Sequence, residues 1–391
     1  MNCTNYLGEV GVFLDRLKIL VADGSVIARK VVAEAVNATE HGIVEHTASN
    51  GSIAVEWLKQ CRIDVILIDL LIVKSSDTEI IKSIKNDFPN IEIIIMSNDS
   101  PDSPSLTLEL LKAGAFDFVE KPPERDLDKS SNDIKTHLQR LFIQIKLKKF
   151  SNLSEYDNPH KKSRDNALKK GTILNTMTAG KKGENVPNNE ICGNVDLILI
   201  ASSTGGPVAL DVLCQRLPAD LHNPILIVQH MPPEFTNVLA QSLDKKHALN
   251  VSEGKDRAPV TKDHIVIAPG GKHMIVDNSE GTGKIIRLID TAYVNGVKPS
   301  ADVLFQSVAR IYRGKKILVV ILTGMGNDGT QGIAELKREC KCYCITQSEE
   351  SCVVYGMPKC AYDAGLSDEV VDLEDIALRI YQICLGGGGK Q

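Results

Sequence analysis

The chain has 391 residues, enough for two or three domains that each bury a core. Hydrophobic residues at 43% and charged residues at 24% match ordinary globular usage, and a formal net charge of −5 argues against nucleic acid as a partner. No apolar stretch approaches the ~20 residues of a membrane span. Residues 1–16 carry Glu9 and Asp15 where a signal peptide needs a basic region and a long apolar one. A cytoplasmic protein, not inserted in a membrane, is expected.

Residues 1–16 read as an N-terminal extension. From Leu17 onward short β-branched runs recur at Lys18–Val21, Asp64–Ile68 and Ile91–Met96, with helical spacing between them, as in Val26–Val36. Strands alternating with helices predict a parallel sheet covered on both faces. An amphipathic helix over Asp133–Phe150, with Ile134, Leu138, Leu141 and Ile145 on one face, closes a first domain of residues 17–150. Residues 151–193 are rich in Asn, Lys, Ser and Gly and have no apolar period. The lysines Lys161, Lys162, Lys169, Lys170, Lys181 and Lys182 fall there, so this polar stretch reads as a flexible linker.

A second alternating pattern fills residues 194–385, with strand-like runs at Leu197–Ala201, Ile225–Val228, His264–Ile267, Ile285–Leu288 and Ile317–Leu322. The glycine-rich residues 386–391 read as a disordered tail. The ten cysteines are read as reduced thiols. Cys340, Cys342 and Cys344 alternate, which puts them on one strand face, and core packing suits that spacing better than a metal site.

In open parallel sheets ligands sit at the carboxyl ends of the strands. In the first domain Asp23 follows strand one, Asp69 ends strand three, Ser97 follows strand four and Lys121 follows strand five. An acid, a second carboxylate, a hydroxyl and a lysine make a set suited to phosphoryl transfer. Each alone is weak evidence, since a lone Asp after a strand is more often a turn or helix-cap residue.

In the second domain three loops after strands carry chemistry. The first is Ala201-Ser202-Ser203-Thr204-Gly205-Gly206-Pro207, a strand-to-helix turn whose Ala201-x-Ser203-x-Gly205 spacing is related to a nucleophile elbow and favours Ser203 over Ser202. On residues alone this turn reads as readily as an anion-binding loop. The second loop, Gln229-His230-Met231-Pro232, offers a histidine. The third, Leu322 to Gly329, offers Asp328, which also reads as the N-cap of the following helix. Together they supply nucleophile, base and orienting carboxylate in the order Ser, His, Asp.

Two resemblances follow from these residues. Leu17–Pro123 resembles the receiver domain of two-component response regulators, above all in Asp117-Phe118-Val119-Glu120-Lys121-Pro122. Residues 196–378 resemble the catalytic domain of chemotaxis protein-glutamate methylesterases of the CheB type. The matching motifs are Ser203–Gly206, Gln229–Pro232, Pro299–Phe305, Leu322–Gly329 and Ser351–Pro358. The resemblance implies two doubly wound α/β domains with parallel sheets, a flavodoxin-like receiver and a Rossmann-like methylesterase. It implies a triad of Ser203, His230 and Asp328, and an oxyanion hole from backbone amides around Thr204, Gly205 and Met325. No cofactor is implied for that reaction.

The substrate so implied is a γ-glutamyl methyl ester on a chemoreceptor, with receptor glutamines deamidated at the same site. A chemotaxis histidine kinase is the implied phosphodonor and Asp69 the implied acceptor. Mg²⁺ would be held by Asp23 and Asp69, yet receivers carry a second acid after the first strand, a direct metal ligand, where this chain has Gly24. Ile72-Val73 also replaces the familiar Met-Pro. Weakened phosphorylation of Asp69 is therefore expected. The rival readings are a small-molecule serine esterase and a non-catalytic receptor-binding adaptor.

Overall fold

The computed structural model describes residues 15–76, 79–97, 100, 102–121, 127–156, 193–247, 249–279, 281 and 283–385. Residues 1–14, most of the expected linker and the tail 386–391 lie outside these. The chain divides into two compact units, each organised on its own parallel sheet.

The N-terminal sheet contains β1 (Leu17–Ala22), β2 (Gly42–Ala48), β3 (Val65–Asp69), β4 (Glu92–Ser97) and β5 (Asp117–Glu120), in the order β2-β1-β3-β4-β5. Its helices are α1 (Val26–Asn37), α2 (Gly51–Gln60), α3 (Leu70–Ser76), α4 (Glu79–Asp87) and α5 (Ser103–Lys112), followed by the long α6 (Leu127–Tyr156). β3 and β4 are buried at every residue, as strands covered on both faces should be, whereas the edge strand β2 alternates. Helix α6 outruns the expected Asp133–Phe150 at both ends.

The second sheet contains β6 (Leu197–Ser202), β7 (Ile225–Gln229), β8 (Val251–Glu253), β9 (Ile265–Ile267), β12 (Lys316–Ile321), β13 (Lys341–Gln347) and β14 (Glu369–Val371). Between β9 and β12 in the chain lie β10 (His273–Ser279) and β11 (Gly283–Ile289), which form a separate antiparallel hairpin. The run Ile285–Leu288, a strand by its residues, thus belongs to the hairpin and not to the main sheet. The seven strands run β14-β13-β12-β6-β7-β9-β8. From β6 the chain builds outward on one side and then returns to add β12, β13 and β14 on the other. The topological switch lies between β6 and β12, where a parallel sheet opens a crevice.

The helices of this unit are α7 (Gly206–Arg216), α8 (Phe235–Lys246), α9 (Ala301–Ile311), α10 (Thr330–Glu339), α11 (Met357–Asp363) and α12 (Leu373–Leu385). Leu304, Phe305 and Val308 of α9 are fully buried, each burial stabilising by about 1.5–3 kcal/mol. A Cβ on Gly332 of α10 would lie 2.5 Å from Cβ of Phe305, so the glycine sets how closely α10 approaches α9. Cys342 and Cys344 of β13 join the same core, and Cys340 packs against it from the end of α10. Burial pushes the Cys342 thiol up to about 12, as expected of a packing residue.

Candidate active site and receiver pocket

Ser203 leaves the end of β6 in a turn whose backbone is held from three sides. Its amide donates to Thr323 O at 3.0 Å, and its carbonyl accepts from Gly206 N at 2.7 Å and Gln229 Nε2 at 2.9 Å. The turn needs glycine at 205, where φ is +77° and a Cβ would lie 2.6 Å from Val353 Cβ. Ser202 and Ser203 separate cleanly. Ser202 is fully buried and donates its hydroxyl to Gln229 Oε1 at 2.6 Å, whereas Ser203 is partly exposed. Ser203 is therefore the serine that a substrate can reach.

His230 follows β7, the strand next to β6, and its amide donates to Ser202 O at 3.1 Å. Its Nε2 lies 2.8 Å from Asp328 Oδ2. Because a carboxylate only accepts, Nε2 carries the proton and Nδ1 is left basic. Nδ1 is buried and has no hydrogen-bond partner among the described residues. The structure thus joins His230 to Asp328 but does not hydrogen-bond Ser203 to the imidazole, a gap that closes in many enzymes only when substrate binds.

Asp328 is not the N-cap of α10; Gly329 occupies that position. Its carboxylate instead serves the first turn of α9. Oδ2 accepts from Ala301 N at 2.6 Å, and Oδ1 accepts from Ser300 Oγ at 2.6 Å and Asp302 N at 3.2 Å. Asn295 Nδ2 adds a contact to Oδ1 at 3.3 Å and another to Asp302 Oδ2 at 2.8 Å. Burial pushes the Asp328 pKa up, but His230, Ser300 and the Ala301 amide outweigh it and bring the value down to about 2. Asp302 goes the other way. Burial, with the nearby Asp328 charge adding to it against the Gly332 amide, raises it to about 6.

The oxyanion candidates fall as follows. Gly206 spends its amide on Ser203 O, so within the turn Thr204 and Gly205 stay as the candidates. Met325 follows Gly324, whose added Cβ would lie 2.7 Å from Ser203 Cβ, which brings that loop against Ser203. The 351–358 segment supports this loop: Gly324 N donates to Val354 O, and Gly356 N and Met357 N donate to Gly324 O. Residue reasoning assigned no role to Ser300, Asn295, Asp302 or Gln229. The only pointer to them was that Ser300, Asp302 and Gln229 fall inside the matching motifs.

In the N-terminal pocket Asp23 and Asp69 lie at the carboxyl ends of β1 and β3, beside the switch of that sheet. Lys121 Nζ lies 2.7 Å from Asp23 Oδ2 and 3.1 Å from Asp69 Oδ1. Burial lowers the lysine pKa, and the two carboxylates raise it by more, so the ammonium stays charged. Burial raises that of Asp69, against the pull of Lys121. Ser97 closes β4 with a buried hydroxyl that has no hydrogen-bond partner among the described residues, and it is not bonded to the other three.

These donors do not fit Mg²⁺, which needs near-octahedral oxygen coordination. Asp23 Oδ1 accepts from Ser25 N, the facing oxygens of both acids hold the lysine, and position 24 has no side chain. Among the described residues no helix is long and apolar enough to cross a membrane.

Comparison with known proteins agrees with both halves. The CheB methylesterase family profile matches residues 198–380, and that of the response regulator receiver domain matches residues 19–130. A protein-glutamate methylesterase/protein-glutamine glutaminase of Treponema denticola is 34% identical over 377 residues, covering 94% of this chain and 98% of that protein. The Bacillus subtilis protein of the same name is 33% identical, over 93% of this chain and 97% of its own length. The crystal structure of the Thermotoga maritima CheB methylesterase catalytic domain is 37% identical, covers 48% of this chain and 97% of that one, and has a TM-score of 0.46. With a receiver ahead of a methylesterase domain and such relatives aligned over nearly their whole length, this chain belongs to the CheB family of protein-glutamate methylesterases.

Proposed function

We propose that this protein hydrolyses γ-glutamyl methyl esters on chemoreceptors through Ser203, His230 and Asp328, on the cytoplasmic side of the membrane. The observation that carries the reading is the Asp328–His230 pair placed at the switch point beside an accessible Ser203. His230 Nδ1 takes the hydroxyl proton as Ser203 Oγ bonds to the ester carbon, and Asp328 steadies the imidazolium. The amides of Thr204 and Gly205, with Met325 across the crevice, are the donors assigned to the oxyanion. The imidazolium returns its proton to the departing methoxide, which leaves as methanol. Water then adds to the glutamyl-enzyme with His230 again as base, releasing glutamate and restoring Ser203. A receptor glutamine follows the same course with ammonia as leaving group. All of this is carried by the chain's own residues.

The receiver is assigned the control of this reaction; Asp69 stands at the acceptor position for a chemotaxis histidine kinase, and its phosphorylation is expected to be weak or absent because the pocket does not fit Mg²⁺. Methanol release from methylated chemoreceptor membranes tests the reading. Wild type is expected to release methanol and Ser203→Ala to release none above background. If wild type releases none from receptors that another methylesterase demethylates, the adaptor reading replaces this one.

A further inference from the structure

The N-terminal pocket has its own cation. Asp23 and Asp69 have side chains only 1% and 3% exposed, and two ionised carboxylates buried this deeply need a counter-charge. Lys121 supplies it by contacting both at once, at 2.7 and 3.1 Å. Two carboxylates and one ammonium leave a single net negative charge. On the same rim, the Arg29 guanidinium donates to the carbonyl of Asp23 and adds a second positive group. A dication entering here would have to displace the lysine from both acids and would recover only two carboxylates in return.

The missing third acid is a matter of composition and not of space. A Cβ on Gly24 meets nothing within 4 Å, and the residue is exposed. Gly24 is also absent from the glycines with positive φ, so its backbone accepts an ordinary side chain. Nothing in the loop requires glycine.

We infer that the resident cation of this pocket is the Lys121 ammonium, that divalent metal binds it weakly, and that Gly24 is the residue responsible, so that Gly24→Asp makes it a divalent-metal site. The added carboxylate supplies the lacking oxygen ligand and adds one negative charge to the pocket. A direct ligand matters at least as much as an outer-shell partner, whose loss changes metal affinity by about 10–100-fold.

The test is titration of the full-length protein with Mn²⁺, following the free-ion signal by electron paramagnetic resonance. Gly24→Asp is expected to bind Mn²⁺ at least about tenfold more tightly than wild type. Gly24→Asn, which fills the same space without charge, is expected to gain much less. Adding Asp69→Asn to Gly24→Asp should abolish the gain and so locate the ion in this pocket. Lys121→Met should tighten binding in the Gly24 background by removing the competing charge. Equal affinity of wild type and Gly24→Asp overturns the proposal, as does a folded Gly24→Asp protein that gains nothing. A Lys121→Met protein that binds no better than wild type overturns the part given to the lysine.

Discussion

Asp328→Asn tests the site most sharply, because the structure says which way the new amide must turn. With its NH₂ at the Oδ2 position it would face Ala301 N–H, fixed in the backbone at 2.6 Å, and His230 Nε2–H at 2.8 Å. At the Oδ1 position it faces Ser300 Oγ, which can rotate to accept, with Asp302 N and Asn295 Nδ2 more distant at 3.2 and 3.3 Å. The second rotamer is cheaper, and it leaves the His230 tautomer unchanged. Only the charge is then lost. A hydrogen bond to a charged group is worth about 1.5–3 kcal/mol, so the imidazolium formed in the transition state loses up to that much and turnover falls roughly 10- to 10²-fold. Reversal of the tautomer would cost nearer 10⁴-fold. Methanol release gives the rate and ¹⁵N shifts of the imidazole give the tautomer. A 10⁴-fold loss with the proton moved to Nδ1 would refute the rotamer argument, and a loss below about threefold would refute the role of Asp328.

Other outcomes follow from the same contacts. Ser203→Ala should lower turnover by about 10⁴-fold or more while leaving the melting temperature nearly unchanged, and retained activity would remove it as nucleophile. Ser202→Ala does the reverse: Gln229 Oε1 loses its donor, stability falls by about 1–3 kcal/mol in denaturant titration, and activity of the folded protein persists. Gly324→Ala places a methyl 2.7 Å from Ser203 Cβ and should cost about 10²-fold in kcat, the scale of a nucleophile displaced by an ångström. Asp302, raised to about 6 from an ordinary 3.8, contributes stability that is present below about pH 4 and is lost as pH rises through 6. Melting curves of Asp302→Asn should therefore lack the decline that wild type shows over that window.

The sequence reveals best what period and strand-end position encode. Asp23, Asp69, Ser203 and His230 were located because each stands beside a β-branched run, where a doubly wound sheet displays its ligands. The hairpin of β10 and β11 was not legible: Ile285–Leu288 has the composition of a sheet strand, and only its pairing with residues 273–279 reveals the difference. Asp328 was located but its helix was not. Local order makes it a cap for α10, while the contact that fixes it comes from α9, some 26 residues earlier in the chain. No periodicity reports a carboxylate that reaches sideways to the start of a neighbouring helix.

That contact with α9 gives one aspartate a part in the fold beside the part proposed for it in the chemistry. Ala301 N and Asp302 N are donors that the first turn of α9 cannot satisfy internally, and a helix start favours a negative charge. The core holds α9 in place through Leu304, Phe305 and Val308, with Gly332 allowing α10 to close against Phe305. The position of the Asp328 carboxylate is thus set by packing remote from the crevice. Its pKa of about 2 keeps it ionised across the working range, so the orientation of His230 does not vary with pH through this partner. A substitution that swells the α9–α10 contact, such as Gly332→Ala, should therefore damage catalysis as well as stability. The mark of that coupling would be a fall in kcat, with KM little changed, in protein that is still folded at the assay temperature. If kcat stays intact while the melting temperature drops, the packing and the site are independent.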